Sequence, residues 1–282
     1  MPSSKIIIIL PDIIEVMKFK LNPSDVEKAA KSQGVTRDEL NVPSSVILTF
    51  SNFIMEYFLK KWPFQRWKWK GENFSPYTTS KKSLKGLYRN QIEIAVFFPP
   101  MGASPLVSFC EELIFFGARN IILICASWSL GEKYLQRGQF HLPNFAIGLD
   151  GTSPHYNNKE GFIEKEPKAY NVICQALKEE QVNWKEGGVG ACEAIYRITD
   201  GLVNEYRNRG CLSMENGEVA SLYSLAKVHK IPIGVLLQPY LDVEDGWNFY
   251  YIDDTYKEMC KIQARVAIKA LERLWKENHR NI

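Results

Sequence analysis

The stretch Phe97-Phe98-Pro99-Pro100-Met101-Gly102-Ala103-Ser104-Pro105 carries an apolar strand straight into a turn of prolines and small residues. A turn of this composition leaves backbone N–H groups able to face an anion or another ligand. A helix is expected to follow over 106–117. The next strand, 120–126, ends in Ser127-Trp128-Ser129-Leu130-Gly131, so two loops leave the carboxyl edge of neighbouring strands. Open α/β sheets bind ligands at that edge, which places the active site within 97–156.

Working outward, the chain has 282 residues, 45% of them hydrophobic, enough for a sizeable core. One large domain is expected at 46–282, preceded by an N-terminal extension at 1–45. With 35 basic and 32 acidic residues the formal net charge is +3, a near balance that calls for neither a nucleic-acid nor a membrane partner. The cysteines (Cys110, Cys125, Cys174, Cys192, Cys211, Cys260) form no CxxC pair, so free thiols in a reducing compartment are expected. The apolar run at 6–10 stops at Pro11 and Asp12; it is too short for a signal core or a membrane span. The sequence therefore reads as a soluble cytoplasmic protein. His141, His229 and His279 are isolated, and no histidine sits at metal-ligand spacing, so neither metal nor cofactor is implied.

Ahead of the central stretch, a short strand and a helix are expected within 1–19. A second helix opens at the capping sequence Asn22-Pro23-Ser24-Asp25-Val26-Glu27. A β-rich run at 45–50 leads through Ser51-Asn52 into an apolar helix at 53–62. Residues 62–70 alternate aromatic and basic side chains, which suits either stacking on single-stranded nucleic acid or an amphipathic strand or loop at a subunit interface; the second is the expectation. Beyond the central stretch, the spacing of Val172, Ile173, Ala176 and Leu177 predicts a helix over 168–182. A strand at 187–196, helices at 197–209 and 214–230, a buried strand at 232–238, a loop at 239–253 and a long helix at 254–278 complete the chain. The fold class is thus a three-layer α/β/α sandwich with a central mixed sheet, its strands lying around Val46, Ile94, Ile122, Phe145, Val189 and Val235. Loops after Phe97, Ala126 and Gln238 should converge on one cleft.

Three segments carry the chemistry. The first runs from Met101-Gly102-Ala103 to Glu111-Glu112-Leu113-Ile114 and Gly117-Ala118. The second is Gly138-Gln139, an intervening strand, then Leu149-Asp150-Gly151-Thr152-Ser153-Pro154-His155-Tyr156. The third is Glu215-Asn216-Gly217-Glu218-Val219-Ala220-Ser221-Leu222-Tyr223-Ser224-Leu225-Ala226. Over roughly 46–274 the chain resembles the nucleoside phosphorylase family that includes uridine phosphorylase and the hexameric purine nucleoside phosphorylases. In that register Glu218 falls on the glutamate that grips the ribose hydroxyls, with Gly217 beside it in the substrate site. Breaking an N-glycosidic bond develops positive charge on the ribose ring, so a carboxylate on the sugar hydroxyls both orients and stabilises. The plain alternative for Glu218 is a surface glutamate in the first turn of a helix, favoured by the helix dipole.

The resemblance also implies phosphate as co-substrate, held at Gly102 and Ser127. The family's two phosphate-binding arginines fall on Met55 and near Leu123, and neither apolar side chain reproduces a guanidinium fork. Lys81 and Lys82 lie near the place of a third arginine supplied by a neighbouring subunit, as substitutes or as a solvated charge pair. Tyr196 matches an aromatic that stacks on the base, or is ordinary core. Arg197 and Asp242 are candidate polar partners of the base, Asp242 with a catalytic role. The implied activity is phosphorolytic pentosyl transfer from a uridine-type nucleoside, with a hydrolytic nucleosidase and a non-catalytic nucleoside-binding paralogue as alternatives. The implied assembly is a homodimer or homohexamer.

Overall fold

The computed structural model describes residues 19–77, 82–244 and 253–279; the strand and nearly all of the helix expected within 1–19 lie outside them. The strands, in chain order, are β1 Ser45–Leu48, β2 Phe64–Trp67, β3 Ser83–Tyr88, β4 Ile92–Phe97, β5 Asn120–Ser129, β6 Phe140–Ile147, β7 Phe162–Glu164, β8 Trp184–Ala191, β9 Cys211–Glu215 and β10 Ile233–Asp242. The helices are α1 Pro23–Ser32, α2 Arg37–Leu40, α3 Asn52–Lys61, α4 Ala103–Phe115, α5 Pro167–Glu180, α6 Asp200–Asn208, α7 Glu218–His229 and α8 Asp254–His279.

β5 organises the sheet. Its run Asn-Ile-Ile-Leu-Ile-Cys-Ala-Ser-Trp-Ser is buried nearly throughout, the pattern of a strand covered on both faces. β1 and β10 pair with it in parallel on opposite edges. On the β1 side the sheet continues through parallel β4 to antiparallel β3 and β2. On the other side β10, β6, β8 and β9 follow one another, and β9 returns to pair with the end of β5. The mixed sheet therefore rolls up at one end while the other end stays open.

Helices cover both faces. One apolar layer joins Val46, Leu48 and Ile121 to Leu106, Phe109 and Leu113 of α4 and Val219, Leu222 and Leu225 of α7. The opposite layer joins Ile47, Ile94 and Ile122 to α3, α5 and α8 through Ile54, Phe58, Ile173, Leu177, Ala267 and Leu271. A smaller cluster around Trp128, Met214 and Tyr206 fills the rolled end beneath α6. This is the three-layer architecture expected. α1 and α2 belong to it as well, since Ala30, Leu40 and Val42 are buried in the first layer. A buried glutamine ties α8 to two strands: Gln263 donates to the carbonyls of Cys125 (2.8 Å) and Leu236 (2.9 Å) and accepts from Gln238.

Several boundaries differ from the sequence reading. The helix expected at 214–230 is preceded by a strand: β9 runs to Glu215, and Gly217 at φ +89° turns the chain before α7 begins. β8 stops at Ala191, and Tyr196 sits in a 3₁₀ turn, Ile195–Arg197, rather than in the strand expected at 187–196. β10 continues to Asp242 through an irregularity between Pro239 and Leu241, so part of the loop expected at 239–253 is strand. A strand bulge is where proline is tolerated in a sheet. Of the aromatic and basic stretch, Phe64 and Trp69 are buried in the chain's own core, and Trp69 Nε1 donates to the Leu40 carbonyl at 2.7 Å. Neither ring is available to stack on nucleic acid. Among the described residues, no helix is long and apolar enough to cross a membrane.

His141 lies wholly buried between strands. Its Nε2 donates to the Gly187 carbonyl (3.2 Å), which leaves Nδ1 to accept from the Ser213 hydroxyl (2.9 Å). Burial lowers its pKa from 6.5 to about 4, the Gly187 bond opposing only in part. The unfolded chain thus binds a proton that the folded chain refuses, and stability falls as pH drops from about 6.5 towards 4, by at most about 3 kcal/mol. His141→Gln should flatten that part of the pH profile of Tm, measured by circular dichroism between pH 7 and 4; a parental slope retained in the variant assigns the acid loss to other groups.

Candidate active site

β1 ends opposite Leu123 of β5, and β9 joins the same edge only at Trp128. Between them, among the described residues, no strand pairs with that edge. A cavity of about 440 Å³ opens at this gap, within the range of small-molecule sites, roughly 300–1,000 Å³. Its wall is built from Phe50 to Phe53 at the entry to α3, Met101 after β4, Cys125, Ala126 and Trp128 of β5, and Tyr240 of β10. Tyr256 of α8 and the segment Glu215, Asn216 and Glu218 complete it. The segments after Phe97, Ala126 and Gln238 converge as expected, but the last two do so as strand ends of β5 and β10 rather than as loops.

The polar floor is a pair of carboxyl groups. Glu218, only 3% exposed, accepts the backbone N–H of Gly102 on Oε1 at 2.9 Å. Glu215, 4% exposed, accepts the N–H groups of Glu218 (2.6 Å) and Val219 (3.4 Å) on Oε2. Both helices that meet here start on glycine, with no capping side chain of their own: Gly102 at φ +101° opens α4 and Gly217 at φ +89° opens α7. The glutamates supply the missing acceptors. Burial, reinforced by the neighbouring Glu218 carboxyl, pushes the Glu215 carboxyl well above the usual carboxylate range. The same two causes, desolvation and nearby carboxylates, push the Cys125 thiol up, so it is a poor nucleophile at neutral pH.

Behind the pair stands the Asp-Gly-Thr-Ser turn. Asp150 accepts the N–H groups of Thr152 (2.9 Å) and Ser153 (2.6 Å) and the Ser153 hydroxyl (2.8 Å). Its Cβ packs so tightly on Gly217 that a Cβ added there would lie 2.7 Å away. Asp150 is thus a brace for the turn that presents Glu218. On the opposite side Trp128 Nε1 donates to the Tyr240 hydroxyl at 2.7 Å, locking two aromatic faces of the wall. The N-terminus of α3 also points at the cavity, with Ser51 capping the Ile54 amide (3.4 Å).

A carboxylate floor, an aromatic wall and a helix start at the carboxyl edge of a rolled mixed sheet meet their match in known proteins. The family model of the phosphorylase superfamily matches residues 48–273. The chain belongs to the phosphorylase superfamily. Its fold is similar to that of the purine nucleoside phosphorylase of Toxoplasma gondii, solved in complex with immucillin-H, with a TM-score of 0.73 and 17% identity over 86% of this chain and 95% of that one. No curated protein matches the chain in sequence.

Against this superfamily framework, Glu218, Gly217 and Gly102 come together as one unit. Lys82 lies at the rim, its Nζ donating to Oδ1 of the cavity residue Asn52 at 3.0 Å; Lys81 is outside the described residues. Ser127 is fully buried on β5 and, unlike its neighbours Ala126 and Trp128, does not line the cavity; among the described residues its hydroxyl has no hydrogen-bond partner. Asp242 is buried two residues beyond Tyr240 and accepts the Glu244 amide (2.8 Å). Tyr196 is 82% exposed, and neither it nor Arg197 contributes to the cavity wall. Met55 and Leu123, at the places of the two arginines, are core residues. The sequence reading passed over Glu215, Trp128 and Tyr256. Glu215 stood in a quoted motif, but only its burial beside Glu218 singles it out.

The brace is testable by stability. Gly217→Ala must place a Cβ against Asp150 and hold a positive φ, and should cost about 1–3 kcal/mol. Gly201→Ala, in α6 with only the Thr199 hydroxyl near at 3.7 Å, should be neutral or stabilise by up to about 1 kcal/mol. Urea denaturation of both variants checks the contrast; equal midpoints remove the bracing role.

Proposed function

We propose that the cavity binds a nucleoside and transfers its pentosyl group to phosphate. The observation that carries this reading is the Glu218 carboxyl group, buried at the cavity floor, fixed by the Gly102 amide and paired with the Glu215 carboxyl. As the N-glycosidic bond breaks and the C1′–phosphate bond forms, the ring carries positive charge, and a preorganised carboxylate under it stabilises that charge. The bonding electrons leave with the base, which then takes a proton; Asp242, buried just beyond Tyr240 on β10 and outside the cavity wall, is the candidate donor. Trp128 and Tyr240 offer the base its aromatic wall. Phosphate lies at the start of α3, where first-turn N–H groups have no carbonyl of their own, with Gly102 and Lys82 contributing. Tyr196 and Arg197, exposed on the flank, are reserved for a contact with substrate extending from the cavity.

Hydrolysis is the second reading. It is favoured by Met55 and Leu123, which place core side chains where the family carries its phosphate arginines. Assembly as a homodimer or homohexamer is part of the same proposal: Phe53 and Met101 at the cavity wall are 50% and 60% exposed, apolar surface that a second subunit would cover. Light scattering at micromolar concentration tests it, a monomer being the contrary result.

Release of free base from a panel of purine and pyrimidine nucleosides, with and without phosphate, is the central experiment. Phosphorolysis predicts base release that depends on phosphate, with a high phosphate requirement that Lys82→Ala raises further; base release independent of phosphate assigns the hydrolytic reaction. Glu218→Ala should weaken nucleoside binding by about two orders of magnitude or more, since two hydroxyl bonds to a carboxylate are worth roughly 1.5–3 kcal/mol each. A Glu218→Ala protein that binds nucleosides like the parent overturns the reading.

A further inference from the structure

The near balance of charge over the whole chain is made of two unequal parts. Residues 60–89 hold nine of the 35 basic residues and one of the 32 acidic ones, Glu72, so the rest of the chain is net acidic. Glu72 is itself buried and takes the Ser83 hydroxyl at 2.8 Å, which leaves only positive charges among the exposed side chains of the stretch. The fold gathers them at one place. β2 is the last strand of the sheet and pairs only with β3. Lys60 and Lys61 end α3 just before it, Arg66 lies within it, and Lys68 and Lys70 follow it; all five are exposed. Lys60, Lys61 and Lys68 enter no ion pair or side-chain hydrogen bond among the described residues. Arg66 holds an exposed pair with Glu56 of α3 (2.8 Å), of a kind that contributes little in water.

Side chains alternate along β2. Phe64 and Arg66 face α3, where Phe64 packs on Phe58, while Trp67 faces the opposite layer, packs on Phe97 and carries the Lys85 ammonium 5.1 Å from its ring centre. Positive charge therefore wraps round the edge from one face of the sheet to the other. Lysines in a last helical turn complement the helix dipole, and charge on an edge strand keeps it from pairing with another chain; each accounts for one or two of these residues, not for a stretch that lines both sides of the edge.

We propose that the β2 edge binds single-stranded nucleic acid through its phosphates, without regard to base sequence. This contact is separate from the cavity and does not rest on the nucleoside reading. The side chains decide the kind of partner. Lysine is depleted, and aromatic anchors are enriched, where proteins bind one another; here Phe64 and Trp69 are spent in the chain's own core, and the edge offers ammonium and guanidinium groups. A lipid surface is close to flat and meets one side of such an edge. A flexible phosphodiester strand follows the curve, and each phosphate neutralised releases a condensed cation. Phosphate contacts hold the strand in place and carry no sequence information.

The test is fluorescence anisotropy of a labelled oligothymidylate of about 20 nucleotides, titrated with the full chain between 50 and 200 mM salt. A dissociation constant of about 10 µM or tighter at 50 mM is expected, with affinity falling about a hundredfold over that range if about five phosphates are contacted. Lys60→Ala, Lys61→Ala and Lys68→Ala combined should weaken binding at least tenfold and lower the salt slope by about 2. Lys159→Ala, Lys168→Ala and Lys178→Ala combined, exposed elsewhere, remove the same charge and should change affinity less than threefold. Both variants should keep the parent's Tm, since substitutions at exposed positions leave stability nearly unchanged. An oligonucleotide that does not bind at 50 mM salt, affinity that ignores salt, or equal losses in the two variants overturns the proposal, the last by assigning the effect to net charge. Vesicles containing phosphatidylserine give the remaining arm: a parent that sediments with them and leaves the oligonucleotide unbound makes the edge a lipid contact and overturns the nucleic-acid reading.

Discussion

The hydrogen bond from the Gly102 amide to the Glu218 carboxylate holds together the two halves of the site. Gly102 opens α4, Glu218 opens α7, and each helix begins on a glycine in a backbone region closed to most side chains. Because neither glycine can cap its own helix, the acceptors come from elsewhere: Glu218 serves the start of α4, and Glu215 serves the start of α7. The positive ends of two helix dipoles therefore converge on two carboxyl groups. This convergence explains how a largely apolar cavity holds two acidic side chains that would otherwise repel.

The sheet fixes where that convergence occurs. β5 is longer than β1, so beyond Leu123 one of its edges is uncovered until β9 arrives at Trp128. β9 arrives there because the sheet rolls up through β10, β6 and β8, and its last residue is Glu215. Strand length, rolling and the placement of the acidic pair are thus one geometric fact. α8 locks it from behind: Gln263 holds carbonyls of β5 and β10 together at the level of the cavity, and Tyr256 of the same helix contributes to the wall.

The layers and the main strands were legible because they are written as local patterns. Apolar runs gave β1, β4, β5 and β10, and capping sequences gave α1. β3 and β7 were not legible: Ser-Leu-Lys-Gly-Leu-Tyr and Phe-Ile-Glu carry too little apolar signal, and their strand character comes from pairing with β4 and β6. The helix expected from Met214 failed at Gly217, where one positive φ outweighed the helical spacing around it. Gly102 stood in one quoted segment and Gly217 and Glu218 in another, and it is the fold that brings them together at the cavity. The aromatic wall was not legible. Tyr196 looked like a stacking residue in the sequence, yet β8 ends at Ala191 and leaves it exposed, while Trp128 and Tyr240 reach the cavity through strand register. Long-range burial, which decides between these aromatics, has no local sequence signature.

One consequence of the geometry bears on chemistry. Under the proposed function, sugar recognition is tied to the starts of α4 and α7, which Asp150 braces in the buried interior. On the same proposal, acceptor capture falls to the start of α3 and to Lys82, an exposed side chain bonded to Asn52 and lying over the Phe98 ring. An ammonium in water contributes far less than a desolvated guanidinium fork. The two tasks are therefore carried by different elements with different rigidity. Charge at the acceptor end can be lost without disturbing the carboxyl pair, because among the described residues no hydrogen bond links Lys82 to Glu215 or Glu218. If the proposed function holds, that separation reconciles the apolar Met55 and Leu123 with a retained sugar site, and makes the acceptor, rather than the sugar, the property most open to change.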